Sequence, residues 1–588
     1  MANHASGELN PQPAGAHPAR RAGMCLLVLV TCFTVSLVSL RPVLDSPESL
    51  IPTTQAGSAT VPLFNVWTIL RNCSFASGES SSYWNAPIFH PHAGTFAYSE
   101  PQPLTILLTP FRMAGASPAW LYNAYLILSL TLNGLFAWML LTSLNCRFPS
   151  SLAGAIGMTL LPMVHDQLDV LQLVPLWPGL WILRNILVLH RLCQNPTTSR
   201  RQLFWNAVQT GVALFAAAAA SLHHCLFLCI LLAFASPAFL WHSTRLRFVA
   251  TCAVAAGIGG ALILPWALPM KKIVDRQSFE RESELVSQLS AVPSDLLRVS
   301  QRQLLPGTSL SGIRPWYLSP GLCRTLLAAA LFPWLLFQKH RGPKVEYSEA
   351  LFLLFFITAA AALSLGTNLK FGGWQPWESL TQLVPGMSKV RSAFRFGYFY
   401  QMAIVLAAAT AIDSVARTQT AGRAVLRLRV LCLLAMIITS FEVLPVVPRS
   451  VPVPTAQVPE WARTVAEKLP SGAGVLVLPY APGSGVQDFE QTVRLMISVS
   501  EISLPLANGY SGFFPQSHYD WQSLIQSPLT ARQLADQMQK DHVNLLVCLA
   551  GSLPASLEGD PELPLLFSVV TSDDERGLLV LQLQPTAP

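Results

Sequence analysis

Hydrophobic residues along this chain are gathered into eleven runs, separated by polar segments of very different lengths. A helix that crosses a bilayer needs about 20 mostly apolar residues, with a range of roughly 17–25. The runs lie at about 24–40, 118–143, 150–165, 168–190, 204–221, 224–241, 249–268, 322–338, 349–366, 394–413 and 428–446, the third being the shortest. This pattern predicts a mostly α-helical, polytopic transmembrane bundle with about eleven spans.

Basic residues are concentrated after every second run, which predicts the orientation of the chain. They are Arg20 and Arg21 before the first run, then Arg147, Arg191, Arg200, Arg201, Arg245, Arg247, Lys339, Arg341, Lys344, Arg417, Arg423, Arg427 and Arg429. Short cytoplasmic loops carry an excess of Lys and Arg. We therefore predict a cytoplasmic N-terminal tail over residues 1–23 and an external C-terminus. These loops account for much of the net charge of +7, so no nucleic-acid partner is predicted.

The polar segments outside the predicted spans are long enough to form structure of their own. We assign residues 24–446 to a membrane domain with external loops at about 41–117 and 269–321, and residues 447–588 to an extracytoplasmic α/β domain. Apolar runs predict strands in this tail at 474–479, 543–548, 565–570 and 578–584, with a helix near 530–540.

The sequence gives little indication of a metal site or of a set of disulfide bonds. The chain has 11 cysteines, mostly inside the predicted spans, and none shows metal-ligand spacing. Cys225 and Cys229 lie four residues apart on one helix face, and we interpret them as small buried apolar residues. No metal ligands are assigned.

Ionisable residues inside or beside a bilayer are expensive, so each is a functional candidate. On the predicted external side they are His165, Asp169, His223, His224, Arg391 and Arg395. The two arginines lie one helical turn apart, and arginine pairs well with phosphate. A cavity at this face is predicted to accept a lipid that carries phosphate, although snorkelling to the headgroups also accounts for each residue alone.

Several short motifs, taken in order, resemble one family. They are Asn65-x-Trp67, Asn85–Pro91, Gly94–Glu100, His165-x-x-x-Asp169-x-x-Gln172, Arg391-x-x-x-Arg395 and Asn508–Pro515. Together they resemble bacterial membrane proteins of the GT-C glycosyltransferase type, also described as YfhO-like. The resemblance implies transfer of a sugar from a polyprenyl-phosphate donor at the external face of the bacterial inner (cytoplasmic) membrane.

The resemblance also implies roles for individual residues. Glu100, or failing that Asp45, is expected to activate the acceptor hydroxyl, while Arg391 and Arg395 hold the donor phosphate. The remaining residues implied in substrate binding are His165, Asp169, Gln172, Asn65 and His90. No cofactor is assigned with certainty, and a divalent cation is the candidate.

The chain departs from the family at one important position. Relatives carry Gly-Asp where this chain has Thr60 and Val61, and neither of these side chains takes up a proton. This departure favours an alternative: a non-catalytic membrane protein that binds a lipid-linked glycan or a partner. A secondary transporter is disfavoured because no inverted repeat and no matching pair of broken helices is visible.

Overall fold

The computed structural model describes residues 18–54, 58–241, 244–277, 283–299, 316–337, 347–417, 423–444, 448–455, 457–573 and 575–584. In these ranges sixteen α-helices have nine or more residues. They are α1 Pro18–Ser39, α2 Thr60–Ala76, α3 Pro118–Ser143, α4 Phe148–Thr159, α5 Trp177–Gln194, α6 Arg200–Ala220, α7 Leu222–Ala235, α8 Arg245–Arg276, α9 Leu322–Phe337, α10 Tyr347–Ser364, α11 Gly397–Arg417, α12 Arg423–Phe441, α13 Glu460–Lys468, α14 Glu490–Ser498, α15 Gln516–Gln526 and α16 Ala531–Lys540.

Every predicted apolar run carries one of these helices, so the mostly helical bundle is confirmed. Eight helical stretches of the described residues are long and apolar enough to cross a membrane, and Val430–Phe441 is a shorter apolar helix. The number of crossings stays a prediction. Of the basic residues used for orientation, Lys339, Arg341 and Lys344 lie outside the described residues, as do the side chains of the four arginines at 417–429.

Helix boundaries follow local chemistry. Ser117 caps α3 by accepting a hydrogen bond from the Trp120 N–H, and Pro118 occupies the first turn, where its missing N–H costs nothing. The predicted run at 150–165 is interrupted: α4 ends at Thr159, and Pro162 begins a separate short helix, Pro162–Asp166. Proline ends the first helix because it cannot donate an intrahelical hydrogen bond and restricts the residue before it.

The first external segment, which the sequence analysis assigned as an external loop at about 41–117, contains a long buried helix. Helix α2 is buried along thirteen of its seventeen residues, including polar Asn65 and Asn72. The correction has a physical reason: α2 is covered on all sides by protein, so its pattern has no polar face for a periodicity argument to detect. Phe89 and Phe96 of this segment are buried, while Trp84 is partly exposed.

The tail forms the predicted α/β structure around a four-stranded sheet. Its strands are β3 Gly474–Leu478, β4 Val543–Cys548, β5 Phe567–Asp573 and β6 Leu578–Leu583, in the order β3-β4-β6-β5. Strands β3 and β4 are parallel, and the other pairs are antiparallel. All five residues of β3 are buried, which agrees with their continuous apolar sequence.

The tail packs directly on the first external segment. Strands β1 (Leu50–Thr53) and β2 (Arg449–Pro452) form an antiparallel pair between them. The Phe89 N–H also donates to the Asn508 carbonyl at 3.2 Å. Gly509 is required here, because a Cβ at this position would lie 2.7 Å from the Phe89 ring. The tail and this segment therefore share one core.

The predicted orientation can be tested by labelling with a membrane-impermeant maleimide. In a cysteine-free background, Ser471→Cys should react from outside the cell, and Thr197→Cys, between α5 and α6, should react only after the cells are opened. Both positions are exposed, so access to the side chain does not distinguish them. If only Thr197→Cys were labelled in intact cells, the predicted orientation would be wrong and the opposite orientation would be correct.

Candidate active site

Helix α2 holds the turn that carries Glu100. The Asn72 side-chain amide donates to the carbonyls of Pro101 and Gln102, at 2.6 and 3.1 Å, and to Thr105 Oγ1 at 2.8 Å. Gln102 has a φ of 48°, in the left-handed region that non-glycine residues rarely adopt. Such a conformation persists only where the surroundings determine it. The turn after Glu100 is therefore fixed by buried hydrogen bonds.

The Glu100 carboxylate lies at the N-terminus of α7. Its Oε1 accepts from the His223 backbone N–H at 3.0 Å and from the Ser221 hydroxyl at 3.3 Å, and it lies 3.1 Å from His223 Nδ1. Burial alone would raise the pKa of Glu100, but the opposing charge and hydrogen bonds of His223 lower it to about 2. Free N–H groups and the helix dipole favour an anion at this position. Glu100 is thus a buried, ionised carboxylate.

Two arginines extend this electrostatic site. Arg395 precedes α11, is largely buried, and interacts electrostatically with Glu100, Tyr398 and Arg391. Arg391 is exposed and interacts with Tyr510 of the tail motif. The segment before α11 therefore points one arginine towards Glu100 and the other towards the tail.

Several polar atoms near these residues are buried without a hydrogen-bond partner among the described residues. They include Glu100 Oε2, Arg395 Nε and the hydroxyls of Tyr125 and Tyr398, and also His223 Nδ1, which lies 3.1 Å from Glu100 Oε1 without the geometry of a hydrogen bond. Tyr125 interacts electrostatically with Glu100, and Tyr398 with Arg395, so the four groups belong to one site. Unsatisfied buried polar groups are costly and concentrate at functional sites. The arrangement has spare capacity to bind a polar ligand.

Two more of the predicted residues, Asn65 and Gln172, are linked through Gln102. Its side-chain amide donates to Asn65 Oδ1 at 2.7 Å and to Gln172 Oε1 at 3.1 Å. Asn65 in turn donates to the Asp169 backbone carbonyl at 2.7 Å. These buried amides form a layer directly behind the turn that follows Glu100.

The remaining predicted residues have structural partners elsewhere. The Asp169 carboxylate accepts from the Thr54 N–H and hydroxyl, and His165 Nε2 lies 3.0 Å from the Thr159 carbonyl oxygen. His90 Nε2 lies 3.2 Å from the His542 carbonyl oxygen, at the contact with the tail. Asp45 is exposed at the end of the short helix Arg41–Leu44. None of these contacts joins them to Glu100 among the described residues.

The sequence analysis noted His223 as an external polar residue but did not assign it to the site, and it missed Ser221 and Gln102. Nothing in the spacing connects residue 100 with residue 223, because the two are separated by four predicted spans. The detectable signal was local: a Ser-Leu-His-His sequence in a very short turn between two apolar runs.

The divalent cation named in the sequence analysis stays a prediction. Within the described ranges, no group of three or more His, Cys, Asp or Glu residues is arranged to hold a metal ion. In the site itself, Glu100 Oε1 already accepts from the His223 backbone N–H at the start of α7 and lies 3.1 Å from His223 Nδ1.

Comparison with known proteins places this arrangement in a structural class. No protein-family model matches the chain, and no curated protein matches its sequence. The cryo-electron microscopy structure of arabinofuranosyltransferase AftD from Mycobacteria superposes with a TM-score of 0.52 at 14% identity, over 96% of this chain and 40% of that chain. The chain has the GT-C glycosyltransferase fold.

A second GT-C protein agrees. The oligosaccharyltransferase AglB from Archaeoglobus fulgidus, solved with an inhibitory peptide and a dolichol-phosphate, has a TM-score of 0.50 at 12% identity. The match covers 93% of this chain and 73% of that one. At such low identity the likeness establishes the fold alone, and this chain corresponds to 40% of the length of AftD. With its apolar helices, the GT-C fold makes the chain an integral membrane protein.

Proposed function

We propose that this protein transfers a sugar from a polyprenyl-phosphate donor to an acceptor hydroxyl at the external face of the membrane. The observation that carries the proposal is the buried carboxylate of Glu100, held against His223 and in electrostatic contact with Arg395. A buried ionised carboxylate beside a titratable ring and an arginine is an arrangement typical of catalytic sites. The GT-C fold supplies the class of reaction.

The arginines are assigned to the donor phosphate. Arg395 is largely buried, and charge interactions are stronger in a medium of low dielectric constant. AglB was solved with a lipid phosphate of this general class, which supports the choice of donor. Arg391 is exposed and interacts electrostatically with Tyr510, so we assign it to the first encounter with the phosphate, before Arg395.

The amide layer is assigned to positioning. Asn65, Gln102 and Gln172 hold the Glu100 turn through hydrogen bonds, and Asp169 anchors the adjoining strand through Thr54. Asp45 takes no part in the reaction, because its exposed carboxylate is not held near the other groups. We further propose that residues 24–446 form the membrane domain and that the tail, 447–588, is the extracytoplasmic domain that covers this face.

One observation favours a second candidate function. Val61, at the family's Asp position, is partly buried against the apolar core in the first turn of α2. A site without that carboxylate would still bind a lipid-linked glycan without transferring it. The non-catalytic binding protein is therefore the alternative.

The two functions are separated by one measurement. Membranes that contain the protein should transfer radiolabelled sugar to an extractable acceptor from at least one member of a panel of polyprenyl-phosphate sugars. The rate of this transfer should exceed the rate in membranes from empty-vector cells. Binding of the same donors without transfer, measured on the purified protein by native mass spectrometry, would favour the non-catalytic function. The absence of both donor binding and sugar transfer would contradict both candidate functions.

A further inference from the structure

Glu100 and His223 differ in how a substrate can reach them. The Glu100 side chain is 6% exposed, whereas that of His223 is 30% exposed. Glu100 Oε1 already receives the Ser221 hydroxyl and the His223 N–H, and it faces His223 Nδ1. The imidazole is therefore the more accessible member of the pair.

We propose that His223 is the group that takes the proton from the acceptor hydroxyl, and that Glu100 is a positioning residue that orients the ring through Nδ1. This inference rests on the proposed function and assigns the proton-accepting atom as Nε2. Among the described residues, the structure shows no hydrogen-bond partner for that nitrogen. The carboxylate lies 3.1 Å from Nδ1 and favours the tautomer with Nδ1 protonated, which leaves Nε2 to accept a proton.

The charges around the pair agree with this division of roles. The groups that face it are Tyr125 from α3, His224 from α7 and Arg395 from the segment before α11. With its pKa lowered to about 2, Glu100 is ionised at neutral pH and is a weak proton acceptor there. An ionised carboxylate beside Nδ1 instead stabilises an imidazolium once His223 has taken up the proton.

The proposed transfer forms one bond and breaks one bond at the same carbon. The acceptor oxygen forms a bond to the anomeric carbon of the sugar while the bond between that carbon and the donor phosphate oxygen breaks. The bonding electrons leave with the lipid phosphate, whose added negative charge faces Arg395. The acceptor proton moves to His223 Nε2 and is later released to water.

The test compares variants of the two residues in the transfer assay with membranes. His223→Ala should lower kcat by about 10²–10⁴-fold, with little change in the KM for the donor. Added imidazole should restore part of this rate, which a purely structural role would not allow. His92→Gln removes a half-buried imidazole at the tail contact and is the matched control; it should keep the wild-type rate.

A second readout does not depend on turnover. Diethyl pyrocarbonate modifies imidazole nitrogens, so Glu100→Gln should increase modification of His223 several-fold, because the ring is no longer held by the carboxylate that lies 3.1 Å from Nδ1. Mass spectrometry of the modified peptide measures this directly. Unchanged modification would overturn the orienting role of Glu100.

The outcomes separate this inference from the proposed function. Full activity of His223→Ala in a protein that transfers sugar would overturn the base role and leave the proposed function standing. If His223→Ala lost activity, was not rescued by imidazole and had a lower melting temperature, the role of His223 would be structural. An inactive wild-type protein over the whole donor panel would overturn the proposed function and the base role together, whatever the labelling shows.

Discussion

Replacing Glu100 with glutamine is expected to abolish sugar transfer, with kcat lower by about 10²–10⁴-fold. The amide has the same shape but no charge, so it loses the ion pair with His223 and the attraction of Arg395. Its amide oxygen can still accept from the Ser221 hydroxyl and the His223 N–H, so the expected loss comes from the missing charge. Radiolabelled transfer in membranes, normalised to the amount of folded protein, measures the loss.

The matched control for this substitution is Glu501→Gln. Glu501 also forms an ion pair, at 2.8 Å with Arg112, but the pair is exposed and lies away from the buried site. Exposed pairs contribute roughly 0–1 kcal/mol to stability, so this variant should fold and transfer sugar normally. Equal activity of the two glutamine variants would show that sugar transfer does not require the Glu100 carboxylate.

Replacing Arg395 with glutamine should weaken the use of the donor by about ten- to hundredfold, seen as a higher KM for the polyprenyl-phosphate sugar. A hydrogen bond to a charged group contributes roughly 1.5–3 kcal/mol, and Arg395 is largely buried beside Glu100 and Tyr398. Donor saturation curves, measured at two salt concentrations, give the KM and kcat values separately.

Arg391→Gln is the comparison for Arg395→Gln. Because Arg391 is exposed, its effect should be smaller and should shrink further at high salt, where exposed charges are screened. Identical effects of the two substitutions, or an unchanged KM in Arg395→Gln, would contradict the assignment of the phosphate to Arg395.

The positions of the helices and of the tail strands could be predicted from the sequence because the signal is local. An apolar run such as 118–143 has the length of a spanning helix, and the structure has Pro118–Ser143 there. The tail strands Gly474–Leu478 and Val543–Cys548 were visible for the same reason, since each is a short apolar run bounded by polar residues or glycine. The motifs around Glu100 and Arg395 also indicated the GT-C fold before any comparison of structures.

The composition of the site was decided by tertiary structure. Glu100 meets His223 because α2 fixes the Glu100 turn through Asn72, while α6 and α7 meet at Ser221. These residues are far apart in sequence, and no periodicity relates them. Asp169 and His165 matched the motif equally well, yet their hydrogen bonds are to Thr54 and Thr159.

Sequence alone thus determined which segments are helical and apolar, because burial in lipid demands long runs of apolar side chains that satisfy their own backbone hydrogen bonds. It also placed the polar motifs between those runs. Only the tertiary structure decided that α2 is a buried helix and that Glu100 contacts His223. Both depend on which surfaces pack together, and packing joins residues whose separation along the chain carries no information about their contact.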